Sequence, residues 1–425
     1  MARVVRRRWQ PELAAPTRRD RRPCEYEVYV PDMLAGRTFM LRGDVAAEIS
    51  DAEAAITRFD AQATSLTDTE ALARILLRAE AVASSRIEGL EVGARRLLRA
   101  EMATQLGEQP SDVTATEVLA NIDAMSQAVQ AIAPGEDLTV AALLAFHRRL
   151  LSGTRLQAHA GTIRTAQNWI GGSDYNPCSA DFVPPPPEQV ETLLDDLCAF
   201  CNGDDLPAVA QAAIAHAQFE TIHPFVDGNG RTGRALIHLV LRRRGLAMRV
   251  SPPVSLILAT WARDYVAGLA ATRYRGSATS RAAADGVNLW VGRFAAACRR
   301  AVADAASFEM RARTIEQAWR ERVGRVRARS ATDLLLRALL GAPVISVNSA
   351  SDLIGRSFPQ TNQAIGRLVD AQILTQVTVG RRNRAFEAPE IVDAFSDLER
   401  QLASPDGNTR ISEPSRRVPY RRAKP

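Results

Sequence analysis

His223-Pro224-Phe225-Val226-Asp227-Gly228-Asn229-Gly230-Arg231-Thr232-Gly233-Arg234 lies between two runs of helix formers, Ala208 to Ile222 and Ala235 to Leu241. Pro224 and the glycines at 228, 230 and 233 do not continue a regular helix cheaply. The spacing therefore predicts a tight loop that opens onto a helix N-terminus. Backbone N–H groups converge there, and the helix dipole adds positive potential. Arg231 and Arg234 fall on one face of the first turn. Gly228, Asn229, Gly230, Arg231 and Arg234 together read as a cradle for phosphates. Asp227 offers oxygen to a hard cation such as Mg²⁺, which usually sits between a carboxylate and substrate phosphates. His223 is suited to general-base work near neutral pH. The plain alternative is a glycine-rich helix cap over a core histidine. Base, metal carboxylate and cradle within so short a stretch favour phosphoryl or nucleotidyl transfer.

The same residues resemble the signature of the Fic family, H-x-F-x-[D/E]-G-N-G-R-x-x-R, with every fixed position present. No Lys-Ser/Thr follows the glycines, so the loop is not a Walker A loop. The resemblance implies a mainly α protein with a Fic-type helical core and a short β-hairpin flap. It implies transfer of AMP from ATP to a Tyr, Thr or Ser hydroxyl of a target protein, possible targets including the chain itself. His223 would be the catalytic base and Asp227 the Mg²⁺ ligand. Gly228, Asn229 (by its side chain), Gly230, Arg231 and Arg234 would hold the ATP phosphates.

Upstream, Ser84-Ser85-Arg86-Ile87-Glu88-Gly89 ends a strong helical run, Ala71 to Arg86. Gly89 reads as a helix C-cap, and Glu88 is unfavourable beside a helix C-terminus unless a partner holds it. The stretch resembles the family's inhibitory motif, [S/T]-x-x-x-E-[G/N], through Ser84, Glu88 and Gly89. The resemblance names Arg234 as the partner, in a pair of the commonly bidentate kind, which withholds that guanidinium from the γ-phosphate. Gly161 to Pro187 mixes β-formers, turn glycines and a proline run. It predicts a long loop with a hairpin near Trp169 and Ile170, and it resembles the Fic flap, where Trp169, Ile170 and Gly171 would pair with the target like an added strand. Trp169 and Ile170 serve equally well as core residues.

At 425 residues, with 54 Lys and Arg against 48 Asp and Glu and a net charge of +6, the chain has room for two or three domains. The expected divisions are a loosely ordered basic arm at 1–40, N-terminal helices with the inhibitory motif at 41–110, and a catalytic core at 111–305. A connector helix at 306–329, a winged-helix-like domain at 330–398 and a disordered basic tail at 399–425 follow. Further helices are expected at 94–107, 113–132 (capped by Thr114 or Thr116), 138–151 and 287–303; Trp290 and Phe294 read as a core stripe, and His147 as a packed or surface residue rather than a ligand. In the winged-helix-like domain Gln360, Asn362, Gln363 and Arg367 are candidates for base contacts and Arg381, Arg382 and Arg384 for backbone contacts, so DNA is a possible partner. Five scattered cysteines, with Cys198 and Cys201 on one helix, read as packing thiols of a reduced, cytoplasmic chain. No run is long and apolar enough for a membrane span or a signal peptide. Homo-oligomers remain possible. Three alternatives stay open on sequence: another nucleotide donor, removal of AMP, or a DNA-binding regulator that only senses nucleotide.

Overall fold

Helix-forming runs punctuated by Gly and Pro set the architecture. The computed structural model describes every residue except 11–14, 16, 19, 64–68, 106, 380–382 and 402–425. In chain order the strands and helices are β1 (Arg3–Trp9), β2 (Cys24–Val30), α1 (Gly43–Ala63), α2 (Thr69–Ile87), α3 (Ala94–Gln105), α4 (Val113–Ala131), α5 (Val140–Leu150), α6 (Pro187–Asn202), α7 (Ala208–Ile222), α8 (Asn229–Arg243), α9 (Val254–Thr260), α10 (Ala262–Ala271), α11 (Arg281–Val323), α12 (Ala331–Ala338), β3 (Val344–Ser346), α13 (Val347–Ile354), α14 (Phe358–Asp370), β4 (Thr375–Val379), β5 (Asn383–Glu387) and α15 (Pro389–Gln401). The protein is mainly α, as expected.

At the centre is α7, with every residue buried. A helix without a polar face belongs inside a layer of other helices, and α6, α8 and α11 surround it. Trp290 and Phe294 are fully buried on α11, and Trp290 Nε1 donates to Ala213 O on α7 at 2.7 Å. The stripe Val45, Ile49 and Ile56 buries α1 against α11. Asp112, rather than Thr114 or Thr116, caps α4 by accepting from Ala115 N.

The structure corrects three expectations about organisation. Residues 287–303 and the 306–329 connector are one helix of 43 residues. No Gly or Pro interrupts the chain between them, and Gly324, at φ +75°, ends the run. The N-terminal arm is an antiparallel pair, β1 with β2, Arg3 opposite Val30 and Trp9 opposite Cys24. Its second strand docks through Tyr29, whose N–H reaches Val183 O at 3.0 Å and whose hydroxyl reaches Tyr274 O at 2.8 Å. Docking brings Cys24 to Cys178, with Cα atoms 5.8 Å apart, and the two form a disulfide. The chain is therefore not fully reduced; a separation of 154 residues hid the pair. Cys198, Cys201 and Cys298 are free and buried, and burial pushes the Cys198 thiol up to about 12.

Residues 330–398 fold as α12, β3, α13, α14, β4 and β5, with most of α15, around a three-stranded sheet of order β3-β5-β4. β3 and α15 were not read from the sequence. Arg381, Arg382 and the tail from 402 lie outside the described residues. This unit sits firmly on the core. Gly341 lies against the first turn of α2, where an added Cβ would stand 2.6 Å from Ala71 Cα. β3, β4 and α15 all pack on α3.

Gly341→Val should force that contact apart, since backbone atoms yield little, and cost about 1–3 kcal/mol. Gly366→Ala, in open space inside α14, should instead stabilise by about 1 kcal/mol through helix propensity. Calorimetric melting temperatures that move in opposite directions confirm the close approach; equal shifts contradict it.

Candidate active site

The loop between α7 and α8 is built from its own backbone. α7 stops because His223 takes the left-handed conformation, φ 49°, and Pro224 follows. Asn229 closes the turn: its Oδ1 accepts from Phe225 N at 2.8 Å and its Nδ2 donates to Phe225 O at 2.9 Å. The expectation that this side chain reaches a phosphate oxygen therefore gives way to a loop-closing role, which leaves Asn229 its backbone N–H. Gly228, at φ 78°, precedes α8. The first N–H groups of α8, from Asn229, Gly230 and Arg231, have no carbonyl one turn behind them. The Asp227 carboxylate, half-exposed, accepts from Gly228 N and from Arg231 Nη2, the latter at 3.3 Å.

Three residues from distant segments hold this loop. His147 lies parallel to the Phe225 ring at 3.7 Å. Its Nδ1 accepts from Gly161 N at 3.0 Å, so the neutral ring carries its proton on Nε2 and donates to Asp227 O at 2.9 Å. Burial pushes His147 down to about 4 and keeps it neutral. Arg164 Nε donates to His223 O at 2.8 Å, and Asn168 Nδ2 to His223 O and Phe225 O at 3.2 and 3.0 Å. Of the packed and surface readings of His147 the structure has the packed one; its hydrogen bonds and those of Arg164 and Asn168 were missed. No local signal marks them. His223 is half-buried, and burial first, then the charge of Arg164, push it down to about 4. A neutral imidazole can accept a proton.

Arg234 does not face an open cradle. Only 1 % exposed, it donates from Nε to Ser84 Oγ at 2.9 Å, and from Nη2 to Ser84 O at 2.8 Å and Glu88 Oε1 at 2.6 Å. Nη1 reaches Tyr265 OH at 3.4 Å, and that hydroxyl meets His216 Nε2 at 2.8 Å. Residues 146 positions apart thus meet as the motif suggested, through one Glu88 oxygen rather than the bidentate pair. Gly89 ends the segment at φ 79°. Asn121 of α4 steadies it by donating to Ala81 O and Ser85 Oγ. The Glu88 carboxylate lies directly over Gly230, where a Cβ would stand 1.8 Å from Oε1. Burial opposes the Arg234 charge, but Glu88, Tyr265 and Glu220 outweigh it and hold the guanidinium charged. Glu220, also unforeseen, is buried with Oε1 lacking a hydrogen-bond partner. Burial pushes it up to about 7 against the pull of Arg234. Burial, then Arg234, push His216 down to about 3.

The expected flap hairpin is reduced to two isolated antiparallel bridges, Ile170 opposite Phe182 and Ser173 opposite Asn176. Positive φ at Gly171 and Gly172 and the run Pro184 to Pro187 break strand pairing on either side. Trp169 is a packing residue, its Nε1 donating to Ser173 O at 2.7 Å and its ring 5.5 Å from Trp9. Ile170 is 36 % exposed.

Two family models match the chain, Fic/DOC family over residues 137–241 and Fic/DOC family N-terminal over residues 46–130. Protein adenylyltransferase fic-1 of Caenorhabditis elegans is 35% identical over 133 residues, 31% of this chain and 23% of that protein. Protein adenylyltransferase Fic of Nematostella vectensis is 33% identical over 126 residues, 29% and 26% of the two chains. The matches thus span about a quarter of these relatives' length. A solved Fic family protein from Desulfovibrio desulfuricans G20, 22% identical, covers 82% of this chain and 97% of its own with a TM-score of 0.51, and shares the fold.

The buried groups of the site make stability depend on pH. His147, His216 and His223, at about 4, 3 and 4, stay unprotonated in the folded chain below their free value of 6.5. Their contribution is full above pH 6.5 and is lost as pH falls to about 4. Glu220, raised from 4.5 to about 7, has the opposite sign: its contribution is lost as pH rises between those values. Near pH 5.5, unfolding binds about three protons at the imidazoles and releases about one at Glu220, so stability rises with pH. Urea midpoints should climb from pH 5 to pH 6, more steeply in Glu220→Gln, on the order of the per-proton slope. A flat profile contradicts this assignment.

Proposed function

We propose, from the match of residues 46–130 and 137–241 to the Fic/DOC family models, that the chain is a protein adenylyltransferase that moves AMP from ATP to a Ser, Thr or Tyr hydroxyl of a protein and is held off by Glu88. The observation that carries this reading is the Glu88 carboxylate lying over Gly230 and on Arg234. An anionic oxygen there stands where a nucleotide phosphate would, at the N-terminus of α8 and against its buried arginine. The reaction class is that of the similar protein adenylyltransferases of C. elegans and N. vectensis.

Neutral His223 takes the proton of the acceptor hydroxyl. The hydroxyl oxygen forms a bond to the α-phosphorus, the bond to the bridging oxygen breaks, and pyrophosphate leaves. The α8 N–H groups and Arg231 stabilise the charge on the phosphates, and Arg234 takes the γ-phosphate once Glu88 withdraws. The loop ties from His147, Arg164 and Asn168 keep His223 and Asp227 aligned. Among the described residues no cluster of three or more His, Cys, Asp or Glu could hold a metal by itself. A half-exposed Asp227 beside the phosphate positions fits Mg²⁺, which takes one or two carboxylates and completes its shell with phosphates and water. Bound there, Mg²⁺ would neutralise phosphate charge.

Glu88→Gly frees Arg234 and should raise incorporation of labelled AMP by at least about 10-fold, within the roughly 10²-fold that alignment governs. Unchanged or lower labelling sinks the inhibitory reading. In the Glu88→Gly background, His223→Ala should abolish labelling while calorimetric ATP affinity stays within about 2-fold, because the base is not part of the cradle. Persistent labelling removes His223 from the role of base.

A further inference from the structure

Arg367, a candidate for reading bases, does something else. Its Nη2 donates to Val323 O at 3.2 Å and Arg325 O at 2.7 Å, at the end of α11. At the other side Arg356 Nη2 donates to Arg329 O at 3.1 Å. These two arginines, one in the α13–α14 turn and one on α14, clamp both ends of the strap 324–329. On that strap Arg325, Arg327 and Arg329 are exposed. None of them forms an ion pair among the described residues, whereas the neighbouring Arg320, Arg322 and Arg337 each do. Such uncompensated guanidiniums, close together on one strap, are well matched to phosphate oxygens.

Beside the strap, α13 and α14 are joined by Gly355-Arg356-Ser357, a short turn in which Gly355 takes φ 60°. Gln360, Asn362 and Gln363 are exposed on α14, and Phe358 is 50 % exposed. Asn and Gln amides match the adenine edge, and an aromatic side chain can meet a thymine methyl. Asp352 and Asp370 are the exposed carboxylates of these two helices, so positive charge prevails on the strap side. We propose that the strap 324–329, Arg356 and the exposed face of α14 form a docking surface for duplex DNA, with the strap on phosphates and α14 in the major groove. The surface lies apart from the His223 loop and does not depend on AMP transfer.

The test uses the full chain and a labelled 20-base-pair DNA duplex of mixed sequence, read by fluorescence anisotropy from about 50 to 200 mM salt. Binding is expected, weakening with salt. The variant R325A/R327A/R329A should flatten the log–log salt slope by about 2.7, the value for three lost phosphate contacts, with an unchanged melting temperature. No binding by the parent chain at 50 mM salt overturns the proposal. So does an unchanged slope in the variant, which would place binding elsewhere. An RNA duplex that binds as tightly also overturns it, because the A-form major groove excludes a helix.

Discussion

A guanidinium that is only 1 % exposed must have a counter-charge, and Arg234 takes its nearest one from Glu88. An unpaired buried cation is costly, and breaking such a pair exposes that cost in full. The two partners are unequal. Arg234 is enclosed, whereas the Glu88 side chain is 37 % exposed. The carboxylate is therefore the half that can leave, and it can do so only if another anion takes its place. Polyphosphate is such an anion. Glu88 sits poorly at the end of its own helix and well at the start of α8. Its position is thus set by the site it occupies, not by the helix that carries it. Gly230 is needed for the paired arrangement, because any side chain there would strike the carboxylate.

The rest of the core keeps this small arrangement from drifting. His223 holds a left-handed conformation that a non-glycine residue adopts only under constraint. The constraint is visible: Arg164 and Asn168 both pull on its carbonyl oxygen. His147 fixes the carbonyl of Asp227, and Asn229 bolts the turn to Phe225. Every one of these contacts grips backbone, so the main chain at His223 and Asp227 is held without using either side chain, and the Asp227 carboxylate turns to Gly228 N and Arg231. Below them α7 is buried on all sides and offers no soft layer into which the loop might relax.

Legibility in the sequence followed the range of each interaction. The loop, most helical runs and the mainly α class depend on residues a few positions apart, and were readable, although the cap of α4 and the extent of α11 were not. Ser84, Glu88 and Arg234 are far apart and became readable only through motif resemblance, which still misjudged the geometry of the pair. The Cys24–Cys178 disulfide and the ties of Arg164 to His223 have no local trace, since each side chain looks ordinary in its own segment. Glu220 and His216 left a faint one, being polar residues in an Ala-rich helix. The flap failed for the opposite reason. β-forming residues were present, but the flanking glycines and prolines left room for only two isolated bridges. Arg367 reads as an exposed basic residue on a recognition-like helix, and only the structure shows it capping α11.

The turn that carries Glu88 also has a place in the larger assembly of elements. It joins α2 to α3, and each of these helices is packed against the 330–398 unit. α2 meets it at Gly341, with no space for even one added carbon. α3 meets it along β3, β4 and α15, with Arg95 at 3.9 Å from both Glu387 and Asp393. Close-packed contacts of this kind transmit displacement instead of absorbing it. Glu88 therefore rests on a segment whose two supports share one neighbour. Its grip on Arg234 is a single side-chain ion pair at 2.6 Å, and a shift of an ångström in α2 or α3 would be enough to break a hydrogen bond of that length. The placement of the C-terminal unit is thus part of what holds the carboxylate over Gly230, although that unit supplies no residue to the loop itself.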